Sequence, residues 1–268
     1  MTEDVALKVS NLCIFRETQN RTVPIVKDIS FTVGRGKVLG LVGESGAGKS
    51  MTAKAVLGLL DSQFAVTGSI LFQGIDLLSL AESNFRRLRG RELALIFQDP
   101  AASLNPVLTI GRQVRELYTS HLGYSQARAK AEGLVMLGAA GLKEPHQIWH
   151  LYPFQLSGGM RQRVMIAMAM ALGPSLIIAD EPTTALDVTL QDQVMRELRA
   201  MQRANGMAML LITHNMGVVA EMADDVAVMK DGEIIEYAEC TELFDRPRHP
   251  YTQSLLAASQ LKEGGSHG

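Results

Sequence analysis

The segment Gly43-Glu44-Ser45-Gly46-Ala47-Gly48-Lys49-Ser50 combines glycines, a lysine and a hydroxyl at a spacing suited to phosphate. Glycines let successive backbone N–H groups turn inward and form a nest for phosphate oxygens. A helix beginning near Gly48 adds the positive end of its dipole. In the pattern G-x-x-x-x-G-K-[ST] the lysine reaches the β- and γ-phosphates and the hydroxyl ligates Mg²⁺; here those residues are Lys49 and Ser50. A glycine-rich turn with a chance lysine is the plainer reading. Against it, the segment lies between the apolar run Val38-Leu39-Gly40-Leu41-Val42 and a helical stretch, as the chemistry requires.

A metal held by one hydroxyl needs a further partner. Leu176-Ile177-Ile178-Ala179-Asp180-Glu181 is an apolar strand ending in two adjacent carboxylates. Neighbours in a strand point opposite ways, so the two cannot share one task. Asp180 suits Mg²⁺, through water, and Glu181 suits polarising an attacking water, a service worth roughly 10²–10⁴-fold in rate. Pro182 then blocks continuation of the strand. For the pair alone, a solvated acidic turn is the ordinary alternative. A second anion site is suggested by Leu156-Ser157-Gly158-Gly159-Met160-Arg161-Gln162, where Ser157 is a good N-cap and the glycines leave N–H groups uncovered at a helix start. One molecule cannot easily fold both anion sites around one phosphate, so the second is expected to serve a partner's nucleotide; an ordinary capped helix is the alternative.

Period-two alternation at Val5, Leu7 and Val9 and at Ile29, Phe31 and Val33 predicts strands in the first third of the chain. Continuous apolar runs at 38–42, 175–179, 207–213 and 225–229 predict strands buried on both faces, as in parallel sheets. Helices are predicted over 49–60, 110–122, 125–137, 158–172 and 189–205, and a further strand over 69–72. Strands alternating with helices predict an α/β core with a parallel sheet, into which the helical middle is inserted.

The 268 residues are 47% apolar and 20% charged, which excludes a disordered chain and supplies a substantial core. A net charge of −2 leaves no electrostatic footprint for nucleic acid. Two cysteines, Cys13 and Cys240, exclude a disulfide framework and suit a reducing compartment. The start Met1-Thr2-Glu3-Asp4 has no secretory pattern. The longest apolar run, 164–172, is far short of the ~20 residues that span a bilayer. A soluble intracellular protein is expected. Methionines such as Met165, Met168 and Met170 sit at helical spacing and read as core filler rather than metal ligands.

Taken together these motifs resemble the nucleotide-binding subunit of ATP-binding cassette (ABC) transporters along essentially the whole chain. Residues 43–50 are similar to the Walker A loop, 176–181 to Walker B and 156–160 to the LSGGQ signature, with Met160 in the glutamine place. Gln98 matches the Q-loop, Ala185-Leu186-Asp187 the D-loop and His214 the switch histidine. The resemblance implies a P-loop NTPase cassette: a RecA-like parallel sheet core (1–97 and 174–240), with an N-terminal antiparallel β subdomain, an inserted helical signature subdomain (98–173) and a tail (241–268). It implies ATP and Mg²⁺ as ligands, with phosphates held by Gly43, Glu44, Ser45, Gly46, Ala47, Gly48, Lys49 and Ser50. It further implies catalysis by Glu181, His214 and Gln98, a metal site of Ser50, Gln98 and Asp180, and trans contacts to ATP from Ser157, Gly158 and Gly159, with Asp187 at the same seam. The adenine place falls on Arg16, with Phe15 beside it, and either could serve.

Gln98-Asp99-Pro100, Ser103-Leu104-Asn105-Pro106, Thr109-Ile110-Gly111 and Pro247-Arg248-His249-Pro250-Tyr251-Thr252 are similar to the peptide, nickel and opine importer branch. That branch implies a second, sister ATPase, two transmembrane permeases reached around Gln98 to Gln113, and an extracytoplasmic solute-binding protein, with the chain peripheral on the cytoplasmic face of the bacterial inner membrane. Peptide, nickel, an opine-type metallophore and glutathione all stand as solutes. Asn215 occupies a place where Asp is common, removing a charge near the phosphates. No cysteine cluster is present, so no iron–sulfur cluster is expected. Other importer types, non-transport ABC ATPases of chromosomes or ribosomes, and a degenerate cassette are the rival readings.

Overall fold

Alternating apolar residues fold the start of the chain into a hairpin of long strands, β1 (Val5–Thr18) and β2 (Arg21–Gly34), paired antiparallel. Leu7, Val9, Leu12 and Ile14 face inward with Val26, Ile29, Phe31 and Val33. The computed structural model describes residues 4–18, 21–183 and 188–264. After β2 come β3 (Val38–Val42), buried at every residue, and α1 (Lys49–Val56). Next are β4 (Phe64–Phe72) and β5 (Ile75–Asp76), which complete an antiparallel sheet of order β2-β1-β4-β5. α1 stops four residues short of the predicted end. Gly58 takes a left-handed φ of 59° there, which only glycine adopts cheaply, and Leu59 N–H turns back to the Lys54 carbonyl.

The middle of the chain contains α2 (Glu82–Leu88), β6 (Leu93–Ile96), α3 (Pro100–Ser103), α4 (Ile110–Leu122), α5 (Gln126–Ala139), α6 (Pro145–Ile148) and α7 (Gly158–Met170). β7 (Leu176–Asp180) and α8 (Val188–Asn205) follow. The last part holds β8 (Ala208–Thr213), α9 (Met216–Met222), β9 (Asp225–Lys230), β10 (Glu233–Glu239), α10 (Cys240–Asp245) and α11 (Pro250–Gly264). These elements make two compact units, Met1–Arg86 with Ala208–Gly268, and Arg87–Met207.

In the first unit β3 lies between β8 and β9, parallel to both, and β10 returns antiparallel along β9. Two helices that sequence patterning does not predict, α10 and α11, contribute Leu243 and Leu256 to a core cluster with Val42, Val219, Val226 and Val228. In the second unit β6 and β7 pair in parallel. Thr109, Ser125 and Ser157 cap α4, α5 and α7, each accepting a hydrogen bond from the backbone N–H three residues on.

Trp149 organises the helical part of the second unit. Its indole lies so close to Gly111 of α4 that a Cβ there would sit 2.3 Å from the ring, and a Cβ on Gly133 of α5 would sit 2.8 Å away. The side chain is 5% exposed. Trp149→Ala is therefore expected to destabilise this unit by about 3–5 kcal/mol. Gly111→Ala should overpack it by about 1–3 kcal/mol. Urea unfolding followed by circular dichroism measures both, since Trp149 is the chain's one tryptophan.

Candidate functional site

In the first unit, parallel register pairs Val42 of β3 with Thr213 of β8, so the loop after β3 and His214 leave the same carboxyl-terminal edge. Ligands of α/β sheets gather at such edges. Gly43, with φ 149°, rests on the backbone of β9: a Cβ there would lie 2.0 Å from the Met229 carbonyl oxygen. Close approach leaves glycine as the only residue that fits. A Cβ on Gly48 would lie 2.7 Å from Met229 Cε, whereas nothing stands within 4 Å of one on Gly46. Lys49 is 6% exposed, and its ammonium spans the loop, donating to the carbonyls of Gly43 at 2.7 Å and Glu44 at 2.8 Å. α1 starts after Gly48, whose cap position offers no side-chain acceptor. Ser50 stands exposed in its first turn.

His214 is exposed directly after β8. Asn215 behind it caps α9, its side-chain oxygen accepting from Gly217 N–H at 2.9 Å and Val218 N–H at 3.3 Å. The departure from Asp thus preserves the cap.

In the second unit, Ile96 of β6 pairs with Ala179 of β7, so Gln98, Asp180 and Glu181 emerge from one strand edge. Gln98 is exposed just beyond β6, and Asp180 and Glu181 are half-buried. Glu181 has already left the strand, with a left-handed φ of 49° that is uncommon outside glycine. Strand alternation therefore stops at Asp180, and it is this backbone turn that directs the second carboxylate.

Ser157 caps α7, its hydroxyl accepting from Met160 N–H at 3.3 Å. Gly158 is open to solvent on its Cβ side, while a Cβ on Gly159 would meet Leu190 Cδ2 of α8 at 2.4 Å. Gly159 thus packs directly against the Leu190 side chain. Gln162, two residues after Met160, is buried at 1% exposure and donates to the Pro182 carbonyl, tying α7 to the segment after Asp180-Glu181. Neither this link nor the ion pair of Arg163 with Glu197 at 3.2 Å is readable from motif spacing. Asp187 lies outside the described residues. On β1, Phe15 is half-buried and Arg16 exposed.

Among the described residues no group of three or more His, Cys, Asp or Glu side chains could cage a metal. Mg²⁺ keeps several waters and takes one or two protein oxygens together with phosphates; the first unit offers the exposed Ser50 hydroxyl, and the second, by itself, the Asp180 carboxylate.

A glycine-rich loop with its lysine, two strand-end carboxylates and a capped glycine helix are the features expected of an ATP-binding cassette. The family model described as ABC transporter matches residues 26–184. The chain is 46% identical over 265 residues to the glutathione import ATP-binding protein GsiA of Pectobacterium atrosepticum, covering 96% of this chain and 42% of that protein. It is 45% identical over 258 residues to the oligopeptide transport ATP-binding protein OppD of Haemophilus influenzae, covering 96% of this chain and 80% of that one. With the dipeptide transport ATP-binding protein DppD of Bacillus subtilis it shares 44% identity over 254 residues, 94% of this chain and 76% of that one. A solved dimer of the ATP-binding cassette MJ0796, in a post-hydrolysis state with ADP and Pi, superposes with a TM-score of 0.77 at 26% identity, covering 87% of this chain and 98% of that one. The chain belongs to the ABC transporter family, as an ATPase cassette of its importers.

Gly43→Ala should force the loop off the Met229 carbonyl. Binding of ATP, measured by isothermal titration calorimetry, is expected to weaken at least tenfold, roughly 1.4 kcal/mol, while the circular dichroism spectrum is retained.

Proposed function

We propose that this chain hydrolyses ATP to drive import of a short peptide or peptide-like solute, as one of two ATPase subunits beneath a pair of permeases. The observation that carries this reading is the phosphate cradle itself: glycine-only contact with Met229, an uncapped α1 and Lys49 strung across the loop. The substrate class rests on relatives named for oligopeptide, dipeptide and glutathione import, glutathione being a tripeptide. Nickel and opine specificity have no such support.

In this reading the loop of residues 43–50 holds the phosphates, and Lys49 turns from its loop carbonyls to the β- and γ-oxygens. Ser50, and Asp180 through water, hold Mg²⁺, with Gln98 completing the set. When bound, Mg²⁺ neutralises charge developing on the phosphate oxygens. Glu181 accepts a proton from water as its oxygen attacks the γ-phosphorus. The bond to the bridging oxygen breaks, leaving ADP and inorganic phosphate, and His214 donates to the γ-phosphate. Adenine rests against the first hairpin, where Phe15 offers a ring and Arg16 a guanidinium.

Ser157, Gly158 and Gly159 of each subunit cover the γ-phosphate held by its partner, a sister chain, and Asp187 acts across the same seam. ATP favours the closed pair because these contacts exist only there, and loss of the γ-phosphate reopens it. The exposed side chains of Phe97 and Val107 support a permease contact along the surface from Gln98 to Gln113. Among the described residues no helix is long and apolar enough to cross a membrane, which suits a peripheral subunit at the cytoplasmic face of the inner membrane, supplied by an extracytoplasmic binding protein.

Two variants test the assignment in the assembled transporter. Glu181→Gln should retain ATP binding and lower turnover by at least 10²-fold. Lys49→Ala should lose binding itself. Wild-type turnover from Glu181→Gln would remove the general base from the scheme.

A further inference from the structure

The segment Pro247–Thr252 touches the phosphate loop. The Tyr251 hydroxyl accepts a hydrogen bond from the Glu44 backbone N–H at 3.0 Å, across 207 positions of sequence. It also engages the Glu44 side chain. The ring is itself fixed. It packs against the cluster containing Val42, the residue immediately before Gly43, and the Lys230 ammonium lies 4.9 Å from its centroid. Lys230 ends β9 one residue after Met229, whose carbonyl supports Gly43. Loop entry is thus held on one side by Met229 and on another by Tyr251.

Tyr251 is positioned in turn by a carboxylate on β10. Glu236 accepts backbone N–H bonds from Arg248 at 2.8 Å through Oε1 and from His249 at 3.0 Å through Oε2. Burial alone would raise this carboxyl. The neighbouring Thr252 hydroxyl and the two N–H donors outweigh burial and leave it below its ordinary value. His249 Nδ1 accepts from the Tyr251 N–H at 3.1 Å, which sets the first turn of α11. A continuous path of hydrogen bonds and packing therefore runs from β10 through residues 248–251 to Glu44. All of it lies within the first unit.

We propose that Tyr251 is a positioning residue for nucleotide binding: through its hydroxyl, the segment Pro247–Thr252 fixes the entry of the phosphate loop and so sets the cassette's affinity for ATP and ADP. The proposal rests on the assignment of residues 43–50 to nucleotide phosphates. The chemistry is positional. The Glu44 N–H lies at the mouth of the loop, and satisfying it from outside keeps the following N–H groups turned toward the phosphates before ligand arrives. Preorganisation of this kind strengthens binding by lowering its ordering cost.

Tyr251→Phe keeps the ring, its packing and its contact with Lys230, and removes only the oxygen. In the full chain, Kd for ADP and for ATP, measured by isothermal titration calorimetry, should rise roughly three- to tenfold, the scale of one hydrogen bond. The nucleotide-free melting temperature should stay within a few degrees of wild type. In the assembled transporter KM for ATP should rise by the same factor, with kcat at saturating ATP within twofold. Glu236→Ala retains the Tyr251 hydroxyl but frees Arg248 and His249, which loosens its position; it should raise KM similarly, and the double variant should go no further than the larger single effect. Unchanged Kd and KM in Tyr251→Phe, a fall confined to kcat, or additive effects of the two variants would each overturn the proposal. A wild-type chain that binds no nucleotide would instead refute the phosphate-loop assignment, so the two failures are distinguishable.

Discussion

The constraint on which this architecture turns is a backbone approach: the Met229 carbonyl occupies the place where any side chain on Gly43 would begin. β9 runs beside β3 in parallel register, Val42 opposite Val228, so its next carbonyl lies under the residue that leaves β3. That contact turns the chain away from the sheet and begins the cradle. α1 then opens at Gly48 with no side-chain acceptor, in contrast to α4, α5, α7 and α9, where Thr109, Ser125, Ser157 and Asn215 take up the first N–H groups. Helix starts ordinarily satisfy those donors within the chain. At α1 no side chain does so from the cap position, and Lys49 adds a cation that is already partly desolvated.

Each unit delivers its reactive residues by the same device. Parallel strands end together, so whatever follows them shares an edge: the phosphate loop and His214 after β3 and β8, Gln98 and the carboxylates after β6 and β7. The two carboxylates are separated further by the backbone. Asp180 still belongs to β7, whereas Glu181 has crossed to positive φ. Positive φ at a residue bearing a side chain costs free energy and persists only where the surroundings impose it. Pro182 immediately afterwards restricts how the chain can leave, and its carbonyl is held by Gln162 from the signature helix. The orientation of the Glu181 carboxylate and the position of α7 are thereby linked within one unit.

Much of this could be read in advance where local chemistry decides the outcome. α4 spans 110–122, as its pattern predicts, because Thr109 caps it and Gly123 ends it with a left-handed φ. The buried strands stood out as apolar runs because parallel strands are covered on both faces. β6 was less visible, four residues in a stretch without strong punctuation. α10 and α11 were missed for another reason: α10 has six residues and no side-chain cap, and both depend on tertiary burial of Leu243 and Leu256 rather than on local pattern. The bond from Glu44 to Tyr251 could not be read at all, since no periodicity connects positions so far apart. Motifs report which residues meet a ligand; the residues that hold the motifs in shape are set by tertiary contacts.

The departures from the family pattern bear this out at the level of single atoms. Asn215 does for α9 what Asp would do, because capping uses a side-chain oxygen and not its charge. What the replacement changes is the charge one residue from His214. Met160 stands where the pattern has glutamine, yet the group contributed at that position to the helix start is the backbone N–H that Ser157 accepts, and any residue but proline supplies it. Gln162 meanwhile performs a buried amide's work two residues on. The element that tolerates no exchange is the one whose contact is with backbone, Gly43 on the Met229 carbonyl. In this cassette side-chain identity is negotiable where an oxygen or an N–H suffices, and fixed where two chains approach too closely for a Cβ.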